Sequence, residues 1–286
     1  MRFIWAIGFV ILAPFLGGLL EGLDRKISAR MQRRIGPPVV QPFYDVRKLM
    51  NKQYIIVNRG QNLLILSYMI LMILTGAMLF GGTDLLLCFF VLATAATFMY
   101  FTAVLTGSPY GTMAGSRELV QMMAYEPAVL LTCIGFYLAC GSFRVFDIVN
   151  SDTMLITKLP GFFVAYVFIL TIKMRKSPFD SSASHHPHQE LVQGIKTELG
   201  AKNLAIFIVT EWYENIFLLS IVGLFFITKN PLSIIVALMA MFIVYFLEIL
   251  IDNSSARVKW TLMLKMTWIV TLVFAGVNLL ILMLLK

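Results

Sequence analysis

Charged residues are scarce in this chain of 286 residues: they make up 13% of it, against 59% hydrophobic residues. Soluble domains carry about 25% charged and about 45–50% apolar residues, so the soluble globular class is excluded. A transmembrane helix needs about 20 apolar residues, and the length therefore allows roughly eight or nine crossings with no sizeable extramembrane domain. Any soluble catalytic machinery is expected on other chains.

Cysteine and histidine are also scarce, with three residues of each. The cysteines fall inside apolar runs and none is at ligand spacing with a histidine, so neither a disulfide framework nor a metal site is predicted. The histidines cluster at His185, His186 and His188, but Pro187 breaks the helical spacing that would fix metal ligands. The net charge of +8 does not indicate nucleic acid, because the cations crowd between apolar stretches.

Eight apolar stretches predict an all-α fold with about eight transmembrane helices in a single domain, residues 1–286. The stretches are residues 3–20, 63–80, 85–106, 127–143, 159–172, 203–228, 231–247 and 266–285. The fifth has about 14 residues, which is short for a hydrocarbon core of about 30 Å. We expect that helix to extend into its flanks or to tilt little.

Lysine and arginine are distributed unevenly between the stretches. The loops after the first, third, fifth and seventh stretches carry nine, one, five and three of the 23 lysines and arginines. By the positive-inside rule these polar loops face the cytoplasm and both termini face outward. The predicted cytoplasmic docking loops are residues 21–62, 107–126, 173–203 and 248–265.

The first of these loops contains more than the cations that would anchor it to lipid headgroups. Such anchoring needs lysine and arginine near the surface, but it does not need Asp24, Gln41 and Asp45 among them. Anchoring alone stays open as an alternative to partner docking. The apolar residues between 43 and 50 recur at helical spacing, which predicts a short amphipathic helix at the membrane interface.

Several carboxylates lie in or beside the apolar stretches. An ionised carboxylate inside the membrane costs at least a few kcal/mol, so such groups are protonated, lie near the interface or line a hydrated cavity. Glu211 and Glu214 share one helical face, and Glu211 lies roughly 12 Å into its stretch. Glu126 and Glu248 lie at stretch ends, where a simple helix-end role is the alternative.

A series of motifs occurs in a characteristic order: GLDRK at 22–26, ARMQRRIGP at 29–37, QPFYD at 41–45, RE at 117–118, YEP at 125–127, SPFD at 177–180, QELV at 189–192, TE at 197–198 and Glu211. Together they resemble the subunit that forms the quinone chamber of respiratory complex I, and its hydrogenase relatives. Two departures favour the hydrogenase branch, namely HHPHQE at 185–190 and EILIDN at 248–253 followed by Ala256 and Arg257. The chain is thus similar to the membrane-anchor subunit of energy-converting (Ech-type) nickel-iron hydrogenases.

This resemblance implies a non-catalytic, multi-pass subunit of an oxidoreductase complex in a prokaryotic cytoplasmic membrane, with no cofactor or metal in this chain. The implied partners are the hydrogenase small and large subunits, an iron-sulfur subunit and an antiporter-like membrane subunit, with ferredoxin as electron donor. The nickel-iron centre and the iron-sulfur clusters would belong to those partners. Proton reduction or hydrogen oxidation would be coupled to proton or sodium translocation.

The resemblance and the expected burial assign two sets of residues. The expected ion pathway consists of Glu126, Asp180, Glu190, Glu198, Glu211, Glu214 and Glu248. The residues expected to dock partners and tune pKa values are Asp24, Arg25, Arg30, Arg34, Gln41, Asp45, Lys48, Arg117, Glu118, His185, His186, His188, Asp252 and Arg257.

Two other functions stay open. The first is a quinone-binding subunit of a complex I-type NADH dehydrogenase, which would need an apolar tunnel from the bilayer to the polar loops; the histidine segment argues against it. The second is a stand-alone ion transporter. The dense polar loops and the absence of lysine from the eight stretches disfavour that alternative.

Overall fold

The computed structural model describes residues 2–53, 58–176, 178–180, 182, 191 and 193–284. Within these residues the chain is helical with no β-strand, and the all-α polytopic prediction is confirmed. The predicted site residues His185, His186, His188 and Glu190 lie outside the described residues.

Eleven α-helices make up the described part of the chain. They are α1 (Arg2–Met31), α2 (Gln41–Met50), α3 (Arg59–Phe80), α4 (Leu85–Val104), α5 (Pro109–Cys140), α6 (Val145–Val149), α7 (Pro160–Lys173), α8 (Ala201–Leu224), α9 (Ser233–Ser254), α10 (Trp260–Val270) and α11 (Val277–Leu284). A π-helical turn (Thr271–Gly276) joins α10 to α11, and 3-10 turns lie at Leu155–Thr157 and Gly194–Lys196.

Seven helical segments of the described residues are long and apolar enough to cross a membrane: α1, α3, α4, α5, α8, α9 and the continuous segment Trp260–Leu284. The short helix α7 has 14 residues. The turn before it is joined to the end of α8, where Ile156 N–H donates to the carbonyl of Phe225 (2.9 Å). At its other end Lys173 pairs with Glu214 of α8. The expectation that this helix extends into its flanks is wrong, because α7 begins at Pro160, ends at Lys173 and is preceded by a separate 3-10 turn.

Several helix boundaries differ from the predicted loops. Helix α1 continues to Met31, beyond the end of its predicted stretch at residue 20. The prediction of a loop at 107–126 is wrong, because α5 begins at Pro109 and this segment is helical from there onward. Similarly, α9 ends at Ser254 and α10 begins at Trp260, which reduces the predicted loop at 248–265 to residues 255–259. Apolar runs mark only the lipid-facing part of a helix, whereas backbone hydrogen bonding continues beyond it.

Two further sequence expectations are tested by these boundaries. The amphipathic helix predicted between residues 43 and 50 is confirmed as α2. The prediction that the spans contain no lysine is wrong, because Lys265 lies inside the segment Trp260–Leu284. The stretch chosen from the sequence began after this lysine because the charge interrupts the apolar run.

Helix α8 lies at the centre of the bundle, in contact with α1, α2, α3, α7 and α9. Glycines bring α1 very close to it: a Cβ atom on Gly17 would lie 2.6 Å from the Cβ atom of Trp212. Large apolar side chains remain exposed along α1, α9 and the Trp260–Leu284 segment, in agreement with contact to lipid or to other membrane chains.

The polar end of the bundle is the end where α1, α4, α7 and α9 finish. Two of its connections pair there, since Phe179 and Val258 form a parallel bridge and Asp180 N–H donates to the Val258 carbonyl (3.2 Å). This end carries the loops that the charge distribution assigns to the cytoplasm.

Candidate functional site

Three cations follow one another where α7 ends at the polar end: Lys173, Arg175 and Lys176. Their side chains are at most 7% exposed. Arg175 has a φ of 53°, in the left-handed region that non-glycine residues rarely adopt. Buried charges are stable only when they are paired, so the carboxylates around these cations determine what the site can do.

Glu211 of α8 lies between two cations. Arg175 forms an ion pair with one carboxylate oxygen, and Lys196 Nζ lies 2.7 Å from the other. Glu211 thus joins the end of α7 to the 3-10 turn that precedes α8. The sequence prediction that this carboxylate is buried within the membrane subunit is consistent with its 14% exposed side chain.

Glu214 lies one turn further along the same face of α8. Lys173 Nζ is 3.4 Å from its Oε1 atom, and the hydroxyl of Tyr68 on α3 donates to its Oε2 atom at 3.2 Å. Lys173 Nζ also lies 4.4 Å from the ring centroid of Tyr125 on α5. Helices α3, α5, α7 and α8 therefore meet around one carboxylate.

Lys176 connects the site to α1 and α9. It pairs with Asp24 on α1 and lies 3.7 Å from Asp252 on α9. Burial alone would lower the pKa of Lys176, but the carboxylates of Asp24 and Asp252 outweigh it and raise the pKa above its usual value. The pKa of Arg175 is also raised, since Glu211 outweighs the burial of the guanidinium. Both groups remain cations at physiological pH.

Two more acidic residues belong to this end of the bundle. Asp180 is fully buried and accepts hydrogen bonds from Arg257 Nε (2.8 Å) and Nη2 (3.1 Å), a bidentate pair. Glu118 on α5 accepts a hydrogen bond from the hydroxyl of Ser182. Both contacts tie the connection between α7 and α8 to neighbouring elements.

Helices α1 and α2 are joined by a second group of charges. Arg25 pairs with Glu21 and with Asp45 (2.7 Å), and Gln41 Nε2 donates to Asp45 at 3.0 Å. The indole N–H of Trp212 on α8 donates to Glu21. Three residues predicted to dock partners, Arg25, Gln41 and Asp45, therefore bond within the chain.

The remaining predicted residues are placed as follows. Glu126 is half-buried on α5 and interacts electrostatically with Lys173. Glu198 is exposed, so it lies outside the buried group. Glu248 is fully buried on α9. Arg30, Arg34 and Lys48 are exposed at the polar end and Arg117 is partly buried on α5.

The basic half of this site is not among the sequence predictions. Lys173, Arg175, Lys176 and Lys196 enter them only as charges that orient the chain in the membrane, and Tyr68 does not enter them at all. One signal was present: three of the cations crowd into KMRK at the end of a stretch too short to span the membrane unaided. Because the stretch is short, cations at its end lie inside the bundle.

Two cavities lie beside the charges. The inner cavity is small, about 50 Å³, and is lined by charged residues including Lys173, Arg175, Glu211 and Glu214. The outer cleft, about 660 Å³, opens toward Gln32 and Arg34. Glu21, Asp24 and Lys176 line both of them. The buried charges thus border both a small internal space and a cleft at the polar end.

A helical bundle with seven segments able to cross a membrane and a buried network of charges at one end defines a polytopic membrane protein. The sequence profile of the family described as NADH dehydrogenase matches residues 4–283. The chain belongs to this family.

Relatives of two kinds are similar to it. Hydrogenase-4 component C of Escherichia coli (strain K12) is 26% identical over 296 residues, covering 93% of this chain and 91% of that protein. NADH-ubiquinone oxidoreductase chain 1 of Dictyostelium citrinum is 29% identical over 249 residues, covering 76% and 75%. NADH-ubiquinone oxidoreductase chain 1 of Mycosarcoma maydis is 29% identical over 235 residues, covering 74% and 70%.

A solved structure shows the same fold. A chain of the membrane-bound sulfane sulfur reductase, described as an archaeal respiratory membrane complex, superposes with a TM-score of 0.85 at 24% identity, covering 98% of this chain and 99% of that one. By their names, the two kinds of relative are a component of a hydrogenase and a chain of an NADH-ubiquinone oxidoreductase.

Proposed function

We propose that this chain anchors a cytoplasmic nickel-iron hydrogenase module in the cytoplasmic membrane and couples ferredoxin-linked proton reduction or hydrogen oxidation to proton or sodium translocation. The hydrogenase small and large subunits, an iron-sulfur subunit and an antiporter-like membrane subunit are its proposed partners. In this proposal they carry the nickel-iron centre and the iron-sulfur clusters.

The observation that carries the proposal is the buried network around Lys173, Arg175 and Lys176. Its carboxylates come from α1, α8 and α9. Charges interact strongly at low effective dielectric, so a change of charge in a module docked at the polar end alters the protonation of these carboxylates. Glu211 and Glu214 are central because each contacts groups from two other elements.

Two observations support the hydrogenase branch over the quinone branch. The match to the hydrogenase-4 component spans more of both chains than the matches to the ubiquinone oxidoreductase chains above. In addition, aromatic rings pack at the junction of α1, α2 and α8. The ring centroid of Phe43 lies 6.4 Å from that of exposed Phe15 and 5.3 Å from that of Trp212. Trp212 lines the inner cavity. These rings therefore lie between an exposed face of α1 and the inner cavity.

The test is to purify the chain with its partners from native membranes in mild detergent and to assay the preparation for viologen-linked hydrogen evolution. Nickel-iron subunits that co-purify with activity would support the proposal. Flavin-containing, NADH-oxidising subunits without hydrogen evolution would contradict it and assign the chain to the quinone branch.

A further inference from the structure

One face of α9 borders both cavities. Tyr245, Glu248 and Asp252 follow one another at spacings of three and four residues, so they lie on the same side of the helix. Tyr245 lines the inner cavity and Asp252 lines the outer cleft. These two residues are about 10 Å apart along the helix axis, and Glu248 lies between them.

Glu248 is fully buried, and neither of its carboxylate oxygens has a hydrogen-bond partner among the described residues. Its neighbour Tyr245 does not supply one, because that hydroxyl donates to the carbonyl of Leu20 (2.9 Å). A buried ionised carboxylate without such partners is costly, whereas its neutral acid is much less so. The geometry therefore favours a proton on Glu248.

The neighbouring charges act on Glu248 in opposite directions: Lys176 attracts the ionised carboxylate, and Asp252 repels it more weakly. The proton is therefore favoured by burial without hydrogen-bond partners, not by these charges. Lys176 pairs with Asp24 and lies 3.7 Å from Asp252, so its attraction for Glu248 is divided among three acids. The fixed cation Lys176 also disfavours a bound sodium ion beside it.

We propose that Glu248 holds an exchangeable proton and that protons move between the outer cleft and the inner cavity along Asp252 and Glu248, beside Lys176. In each step one O–H bond of a carboxyl group breaks as another forms on the next carboxylate or on water, and no electron is transferred. The use of this route during turnover rests on the proposed function; the proton on Glu248 does not.

Infrared difference spectroscopy on the intact membrane complex tests the proposal through the carbonyl stretch of a protonated carboxyl group. The band should be present at neutral pH, shift on exchange into D₂O and disappear in Glu248→Gln. Gln has the shape and neutrality of the protonated acid, so the variant should assemble. Asp152→Asn is the matched control, because Asp152 is exposed, and it should leave the band unchanged.

A second variant separates a titrating group from a passive one. Removing the positive charge with Lys176→Met should make the band persist to more alkaline pH than in the parent complex. A band that survives in Glu248→Gln, or one that belongs to Glu248 but does not exchange in D₂O, would overturn the proposal. Because the band is independent of hydrogen evolution, its loss or retention does not depend on which partner module is present.

Discussion

At the scale of single residues, the site is organised by cations rather than by the carboxylates that the sequence makes conspicuous. Lys173, Arg175 and Lys176 each meet a different set of acids, from α1, α8 and α9. A buried charge without a partner costs several kcal/mol. Loss of the charge of any one acid therefore changes which protonation states of the other acids are stable. A network of this kind can respond to a distant change in charge.

The pair formed by Asp180 and Arg257 should contribute to stability. In Arg257→Ala the carboxylate of Asp180 stays buried without its bidentate donor, which should cost on the order of 1–3 kcal/mol. We expect a lower thermal unfolding temperature of the purified complex, measured by intrinsic fluorescence. The double variant Asp180→Asn with Arg257→Ala should recover part of the loss; a single variant as stable as the parent would contradict this role.

At the scale of elements, close packing of α1 on α8 holds the two groups of charges together. Gly17 faces the backbone of Trp212, so the valine side chain in Gly17→Val would clash with it. Overpacking typically costs about 1–3 kcal/mol, and we expect reduced assembly of the complex on native gels. Gly8→Val is the matched control, because nothing lies within 4 Å of the position of its Cβ atom. Equal assembly of both variants would show that this contact is dispensable.

The sequence predicted the elements of this fold well and their ends poorly. The apolar stretches locate all the long helices, and helical spacing identifies α2. The first half of α5, from Pro109 to Glu126, was assigned to a loop because its polar residues interrupt the apolar run. Two of those polar residues, Glu118 and Gln121, are buried inside the bundle, and no local pattern distinguishes that environment from water.

The candidate site could be predicted only in part for a similar reason. Motif order identified Glu211 and Asp24, and helical spacing paired Glu211 with Glu214. The contacts that make a network of them, such as Tyr68 to Glu214 and Lys176 to Asp24, join residues 146 and 152 positions apart. Pairings of that range depend on tertiary packing, which one sequence does not disclose.

At the scale of the whole molecule, the chain has two distinct surfaces. Its sides expose large apolar residues suited to lipid and membrane partners, while the polar end exposes cations such as Arg30, Arg34 and Lys48. The buried charges lie between that end and the centre of the bundle. This arrangement suits a subunit that transmits an electrostatic change from a docked module into the membrane.

The most direct measurement records hydrogen evolution and ion movement together in inverted membrane vesicles containing the intact complex, for the parent, Glu211→Gln and Asp152→Asn. We predict that the Glu211→Gln complex assembles. Because Arg175 and Lys196 lose their shared anion, coupled ion movement should fall about tenfold, equivalent to about 1.4 kcal/mol. Hydrogen evolution should become slower or uncoupled from ion movement. Asp152→Asn should behave as the parent. Parental hydrogen evolution together with parental ion movement in Glu211→Gln would contradict the account.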